Sequence, residues 1–248
     1  QLRGGIVEIA DQIAPRLRGR PEGAHPVRQA DHRFAQLAVV GIANLCDVAR
    51  LGIEQHRAHH GAQIAAQRAA APARLRGVRH SFTNSDDPEV VGKHPNNAAH
   101  LCSDPAWRRG FARLAPNGLS FEAWLYHPQL PELIELAHAF PDTTIILDHV
   151  GTPIGRASYT GKLGERFPTW KASIQELAKS PNVNVKLGGL AMFVNGFDFH
   201  ENVLPPSSGE MRDAWGPYML ALIEAFGADR CMFESNFPVD KGMCSYPV

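Results

Sequence analysis

Residues 143–151 read Thr143-Thr144-Ile145-Ile146-Leu147-Asp148-His149-Val150-Gly151. The uncharged run Thr143–Leu147 suits a strand covered on both faces, as in a parallel sheet. The acid, histidine and glycine that follow it then fall at the strand's C-terminal end. The same unit recurs in both directions. Upstream, Arg74–His80 is a short strand ending in Arg79 and His80, and the aromatic-rich run Leu119–His127 closes at Pro128. Downstream, Val183-Asn184-Val185-Lys186-Leu187 runs into Gly188-Gly189, and Arg230–Glu234 runs into Ser235-Asn236-Phe237-Pro238.

Helices are expected between these strands. Asp104 before Pro105 is an N-cap followed by a proline at the first helical position. Trp107, Phe111 and Leu114 then fall on one face, and Asn117-Gly118 ends the element. Further helices are expected over about 131–139, 169–179 and 210–226. The stretch 191–209 is too long for a plain connector and reads as a lid or binding loop. Its Phe193, Phe197 and Phe199 are expected to cover a core more than to grip a ligand. Strand–helix alternation predicts an α/β fold with a parallel sheet. With no glycine-rich phosphate turn after any strand, a (β/α)8 TIM-barrel type is preferred over a doubly wound sheet. Too few strands are legible for a closed barrel, so the chain reads as an incomplete one, its first strand and last helix missing.

The segment before residue 74 is of another character. The first 80 residues hold 12 arginines, no lysine and six acids, a charge of +6 within a chain that is neutral overall, and only one aromatic residue, Phe34. Residues 1–73 are therefore expected to be an atypical basic segment, poorly ordered or frame-disrupted, ahead of a barrel portion at 74–248. Within it, Gly5–Asp11 resembles a buried strand and Ala38–Leu51 is apolar enough for a helix. His56 and His60 are spaced for a zinc helix but flank no acid, so a solvated histidine cluster is the better reading. A nucleic-acid arm is disfavoured, because dense basic clusters and interleaved aromatics are lacking. No apolar run is long enough to span a bilayer. Four scattered cysteines without a CxxC pair argue against a disulfide scaffold or structural zinc. A cytoplasmic setting and a small-molecule substrate are the expectations, with neither nucleic acid nor membrane as partner.

Chemistry-bearing residues gather at the strand ends, where barrels place their sites. His149, Glu234 and Asn236 are the catalytic candidates. Arg79, His127 and Lys186 are the candidates for substrate binding, a lysine at the end of an apolar strand being costly to bury without purpose. Asp148 is divided between site and loop, and His127 could instead pack beside Pro128.

Arg76-Gly77-Val78-Arg79-His80, Ile146–Gly151, Val185–Leu190 and Met232–Pro238 together resemble the amidohydrolase superfamily, in its TIM-barrel, lactonase-like branch. The resemblance implies hydrolysis of a lactone or another small carboxylic ester or amide, with His149 as the histidine of the fifth barrel strand. It also implies a divalent metal, zinc or manganese, in the full-length family. This sequence departs from the pattern twice: it has no His-x-His strand, and Asn236 stands where the family has an aspartate. An amide cannot take a proton from water at neutral pH, and a neutral oxygen attracts a divalent cation poorly. No metal is therefore expected for this chain. A catalytically inactive, truncated or frame-disrupted relative is the competing reading.

Overall fold

The computed structural model describes residues 43–44, 59–70, 74–90 and 99–244. The expected strand at Gly5–Asp11, His56 and most of the basic segment lie outside them, whereas His60 lies among them. In chain order the elements are β1 (Ala43–Asn44), α1 (His59–Ala70), β2 (Gly77–Ser81), α2 (Pro105–Phe111), β3 (Ser120–Trp124), α3 (Leu130–Ala139), β4 (Ile145–Leu147), α4 (Leu163–Leu177), β5 (Val183–Leu187), α5 (Ser208–Phe226) and β6 (Cys231–Phe233). The helix expected over 38–51 is corrected at Ala43–Asn44. These two residues pair in parallel with Val78 and Arg79, so ladder hydrogen bonds at a sheet edge prevail over local apolar character.

The described strands form one parallel sheet in the order β1-β2-β3-β4-β5-β6. Each new strand adds on the same side of the last. A doubly wound sheet would reverse direction at a switch point, whereas continued addition with right-handed crossovers curls a sheet into a barrel. The fold is the TIM-barrel type.

Side chains alternate along each strand. Val78, Phe121, Ala123, Ile145, Leu147, Val183 and Val185 are buried in the main core, which also takes in Phe111, Leu133, Leu136, Ile174, Leu177, Leu222 and Phe226 from the helices. Arg79 and Glu122 are register partners on the opposite face, and Lys186 lies beside Met232 there. Helix boundaries follow the capping chemistry. Asp104 accepts a hydrogen bond from the Trp107 N–H at 2.6 Å, and Ser207 with Glu210 forms a capping box that starts α5. α2 stops at Phe111, short of Leu114, and Gly118 turns the chain into β3 at φ 62°. α4 begins six residues before its expected start, with Pro168 inside it. Phe167 packs on Trp170 and Tyr218 at ring distances of 5.4 and 5.1 Å, and this contact holds the turn that proline alone would weaken.

The edge of the sheet where strands begin is tied by polar side chains bonded to backbone. Arg230 donates to the carbonyls of Phe226, Ser180, Val183 and Ala178. Asn182 faces the carbonyls of Ala137, Phe140 and Thr143. No helix among the described residues is long and apolar enough to cross a membrane.

Candidate active site

Five strands bring charged groups together toward the opposite edge, Arg79 and Glu122 from within their strands and the others from at or just past the strand ends. Arg79 comes from β2, Glu122 from β3, Asp148 and His149 from the turn after β4, Lys186 from β5 and Glu234 from the residue after β6. The Lys186 ammonium lies 2.8 Å from Glu122 Oε2, 2.9 Å from Asp148 Oδ1 and 3.7 Å from Glu234 Oε1. Arg79 lies 3.3 Å from Asp148 Oδ2 and 3.9 Å from Glu122 Oε2. Asp148 is fully buried and neither of its oxygens has a well-directed hydrogen bond. Charge, more than directed hydrogen bonding, holds it between the two cations.

His149 is clamped from both sides: Nδ1 lies 2.7 Å from Glu234 Oε2 and Nε2 lies 2.8 Å from Arg79 Nη2. A guanidinium can only donate. Nε2 therefore accepts, and Nδ1 carries the proton that it donates to Glu234. Trp124 sets its edge against the ring at 5.7 Å, and Gly188-Gly189 makes room behind it. A Cβ on Gly189, whose φ is +77°, would sit 2.5 Å from His149 Nδ1, and one on Gly188 would sit 2.1 Å from the Glu234 carbonyl oxygen. Only glycine fits both constraints at 189.

The protonation states follow from these contacts. Burial disfavours the Lys186 charge, but Asp148, Glu122 and Glu234 outweigh it and raise its pKa above the usual lysine value. Burial likewise opposes ionisation of Glu234, yet the His149 hydrogen bond and the charges of Lys186 and Arg79 hold its carboxyl below the usual range. Asp240 behaves in the opposite way. Burial pushes its carboxyl up to about 6, against the lowering effects of an Asn236 hydrogen bond, His149 and the Ala191 N–H.

Of the residues expected at the site, Arg79, His149, Lys186 and Glu234 meet directly. Asn236 stands beside them and donates through Nδ2 to Asp240 Oδ1 at 2.7 Å. His127 is not brought in. Its buried ring accepts the Ile154 N–H at 3.1 Å and meets Tyr159 edge-on, while burial, with Arg166 nearby, lowers its pKa to about 4. Its place is the turn beside Pro128. His80 turns to the helix layer, where it accepts from the Trp107 indole N–H at 3.3 Å. In the long loop, Phe197 and Phe199 pack on Trp215, and Phe193 lies under Arg156. Glu122 and Asp240 were missed by sequence reasoning. Glu122 had a signal, an acid between two apolar neighbours within an aromatic strand, on the same pattern as Lys186.

The rim does not suit a divalent cation as it stands. Glu122, Asp148 and Glu234 face an ammonium or guanidinium, and both nitrogens of His149 are engaged. Among the described residues, the group with three ligand atoms close together is Asp198, His200 and Glu201, out in the partly exposed long loop.

A parallel sheet of this strand order, with buried charged groups gathered toward its C-terminal edge, defines the TIM-barrel class. Within that class, the chain belongs to the amidohydrolase family whose model (Amidohydro_2, described as amidohydrolase) matches residues 14–247. An uncharacterized Sinorhizobium fredii protein, y4mH, is 38% identical over 174 residues, covering 70% of this chain and 51% of its own length. An L-fucono-1,5-lactonase of Burkholderia multivorans is 26% identical over 240 residues, covering 91% of this chain and 74% of the lactonase. A crystal structure of a Burkholderia multivorans amidohydrolase with bound zinc superposes with a TM-score of 0.57 at 26% identity, covering 82% of this chain and 64% of that one. The chain thus spans about half the length of the Sinorhizobium relative and just under two thirds of the solved amidohydrolase.

Proposed function

We propose that this protein is a hydrolase that opens a small lactone, adding water across the ring ester to give a hydroxy acid. The observation that carries this reading is the convergence of Arg79, Glu122, Asp148, His149, Lys186 and Glu234 from five neighbouring strands. Similarity to a relative named as an L-fucono-1,5-lactonase supports a sugar-acid lactone as the substrate class.

The residues divide the work by charge. A lactone carbonyl entering the rim meets Lys186 and Arg79, whose positive charge stabilises the oxyanion that forms when water attacks. As Arg79 turns to the substrate, His149 Nε2 is left free to hold that water, with Glu234 fixing the ring through Nδ1–H in the required tautomer. Asn236 contributes an amide at the same edge. His127 has no part in this scheme, since its ring nitrogen is committed to the Ile154 N–H. No step is routed through a metal, because the donors at the rim are already held by Lys186 and Arg79.

The test is a proton-release assay on a panel of aldono-1,4- and aldono-1,5-lactones. Hydrolysis well above the spontaneous rate is expected for at least one member, lost on Lys186→Met and His149→Asn. A chain with no turnover on any lactone would leave the non-catalytic relative as the better description.

A further inference from the structure

Of the acids at the rim, Glu122, Asp148 and Glu234 are bound to Lys186 or Arg79. A carboxylate held that way has its lone pairs directed at cations and is a weak proton acceptor. Asp240 is different. It is buried at 7% exposure, and among the described residues it forms no ion pair. Its carboxylate takes hydrogen bonds from the Asn236 amide and the Ala191 N–H. The turn that carries it is fixed: the Asp240 N–H bonds the Asn236 carbonyl at 3.2 Å, and the N–H groups of Met243 and Cys244 bond the Asp240 carbonyl at 3.0 and 3.1 Å. The ring closed by Asn236 and Asp240 aims an acid from outside the strand back toward the strand end.

We propose that Asp240 is the general base of the site, supplying from four residues further along the chain the carboxylate that Asn236 cannot provide. This inference rests on the lactone-hydrolase reading. Asp240 takes one proton from water as the water oxygen bonds to the carbonyl carbon, giving a tetrahedral oxyanion beside Lys186 and Arg79. The ring C–O bond then breaks, and the leaving alkoxide oxygen takes the proton back from Asp240. Atoms balance as lactone plus water to hydroxy acid, and the new carboxyl group loses its proton to solvent.

Asn236 is a positioning residue here, holding one carboxylate oxygen so that the other can point at the water. The contrast with Glu234 fits the assignment. Two neighbouring acids whose environments drive them in opposite directions take separate roles, one ionised and orienting, the other poised to exchange a proton. The titratable groups around Asp240 are His149 from the β4 turn, Glu234 from the end of β6, and Cys244 on its own turn.

The experiment uses the full chain and the best lactone from the panel, with kcat measured from pH 4.5 to 8. The wild type should show an acid limb near pH 6, because the base must be ionised. Asp240→Asn, nearly isosteric, should lower kcat at least about 100-fold, within the range for loss of a general base. The exchange Asn236→Asp/Asp240→Asn, which moves the acid to the strand end, should recover at least about tenfold over the single variant, on the lower side of that same range. An active wild type whose acid limb and kcat survive Asp240→Asn overturns the proposal and leaves the hydrolase reading standing. So does a variant that only melts earlier, with kcat and pH profile intact. A wild type that hydrolyses no lactone overturns the reading and the proposal with it.

Discussion

Lys186 and Arg230 are buried or half-buried cations on neighbouring strands, one near the end of β5 and the other just before β6. Lys186 is surrounded by three carboxylates. Arg230 is surrounded by four backbone carbonyls and the face of Phe226 at 5.0 Å. The carbonyls of Ala178 and Phe226 belong to the C-terminal ends of α4 and α5, where a cation satisfies groups the helix leaves unpaired. Arg230 thus fastens two helix ends to the start of a strand, and its partners cannot change protonation. Every partner of Lys186 can. One edge of the sheet is therefore built to hold a fixed shape, and the other to hold charge that a substrate can redistribute. Both arrangements need cations, and only the partners tell them apart.

Replacing Lys186 tests the charged edge and has the largest expected effect. Lys186→Met keeps the aliphatic stem and leaves three acids close together, so stability should fall by about 3–5 kcal/mol, the usual cost of breaking a buried ion pair. Lactone hydrolysis should be lost. Urea unfolding should show the deficit shrinking as pH falls and the acids, left without their cation, take up protons. In the wild type, Lys186 has a raised pKa and stabilises the fold throughout the range below the unfolded lysine value. That contribution disappears only as pH climbs through the raised folded value. A variant as stable as the wild type at pH 8 would remove the distinction between the edges.

Much of this edge was legible in the sequence, for a physical reason. His149, Lys186 and Glu234 follow or lie near the end of apolar strands, Arg79 lies within β2 with its side chain reaching the same edge, and barrel geometry brings that edge together. Asp148 was legible as a position; its pairing with Arg79 and Lys186 depends on which neighbour reaches it. His127 too follows a strand, but Pro128 turns the chain and the ring accepts a backbone N–H away from the rim. Asp240 could not be found from spacing, since it depends on a short turn after β6 that folds back on Asn236. The start of α4 was misplaced because Pro168 looks like a boundary until Phe167 has a partner. At Ala43–Asn44, strand pairing is a property of the neighbouring β2, not of the local residues.

His127 offers a buried titratable group of a third kind, held neutral. Its folded pKa of about 4 lies below the ordinary histidine value of 6.5. Between these values the unfolded chain takes up a proton that the folded chain refuses. Its stability contribution is therefore present above pH 6.5 and lost as pH falls toward 4. At about 1.4 kcal/mol per unit, the window is worth about 3 kcal/mol. His127→Asn, which can still accept the Ile154 N–H, should flatten that acid dependence in urea melts at pH 7 and pH 4.5. An unchanged slope would place the acid sensitivity in the charged edge instead. Arg230→Met is the next smaller change. It deprives four carbonyls of a charged donor and should cost about 2 kcal/mol, with kcat on lactone unaltered. A loss of kcat in the folded variant would show that the two edges are coupled.

Asn182 refines the same comparison without any charge. Its Nδ2 lies 3.3 Å from the Ala137 carbonyl and 3.1 Å from those of Phe140 and Thr143. Two amide hydrogens cannot serve three acceptors fully, so at least one bond is shared or weak. The side chain bridges the end of α3 to the approach to β4, as Arg230 bridges α4 and α5 to β6, but with a neutral donor. Neutral hydrogen bonds contribute less than those to charged groups, and Asn182→Ala should cost about 1 kcal/mol. The deficit should be the same at pH 5 and pH 8, since none of the three partners titrates, and lactone hydrolysis should be unaltered. Denaturant melts of this variant beside Arg230→Met then separate the contribution of the donor's charge from that of the tie itself. If Asn182→Ala costs as much as Arg230→Met, the starting edge is held by the number of carbonyls it satisfies, and the charge of Arg230 adds nothing.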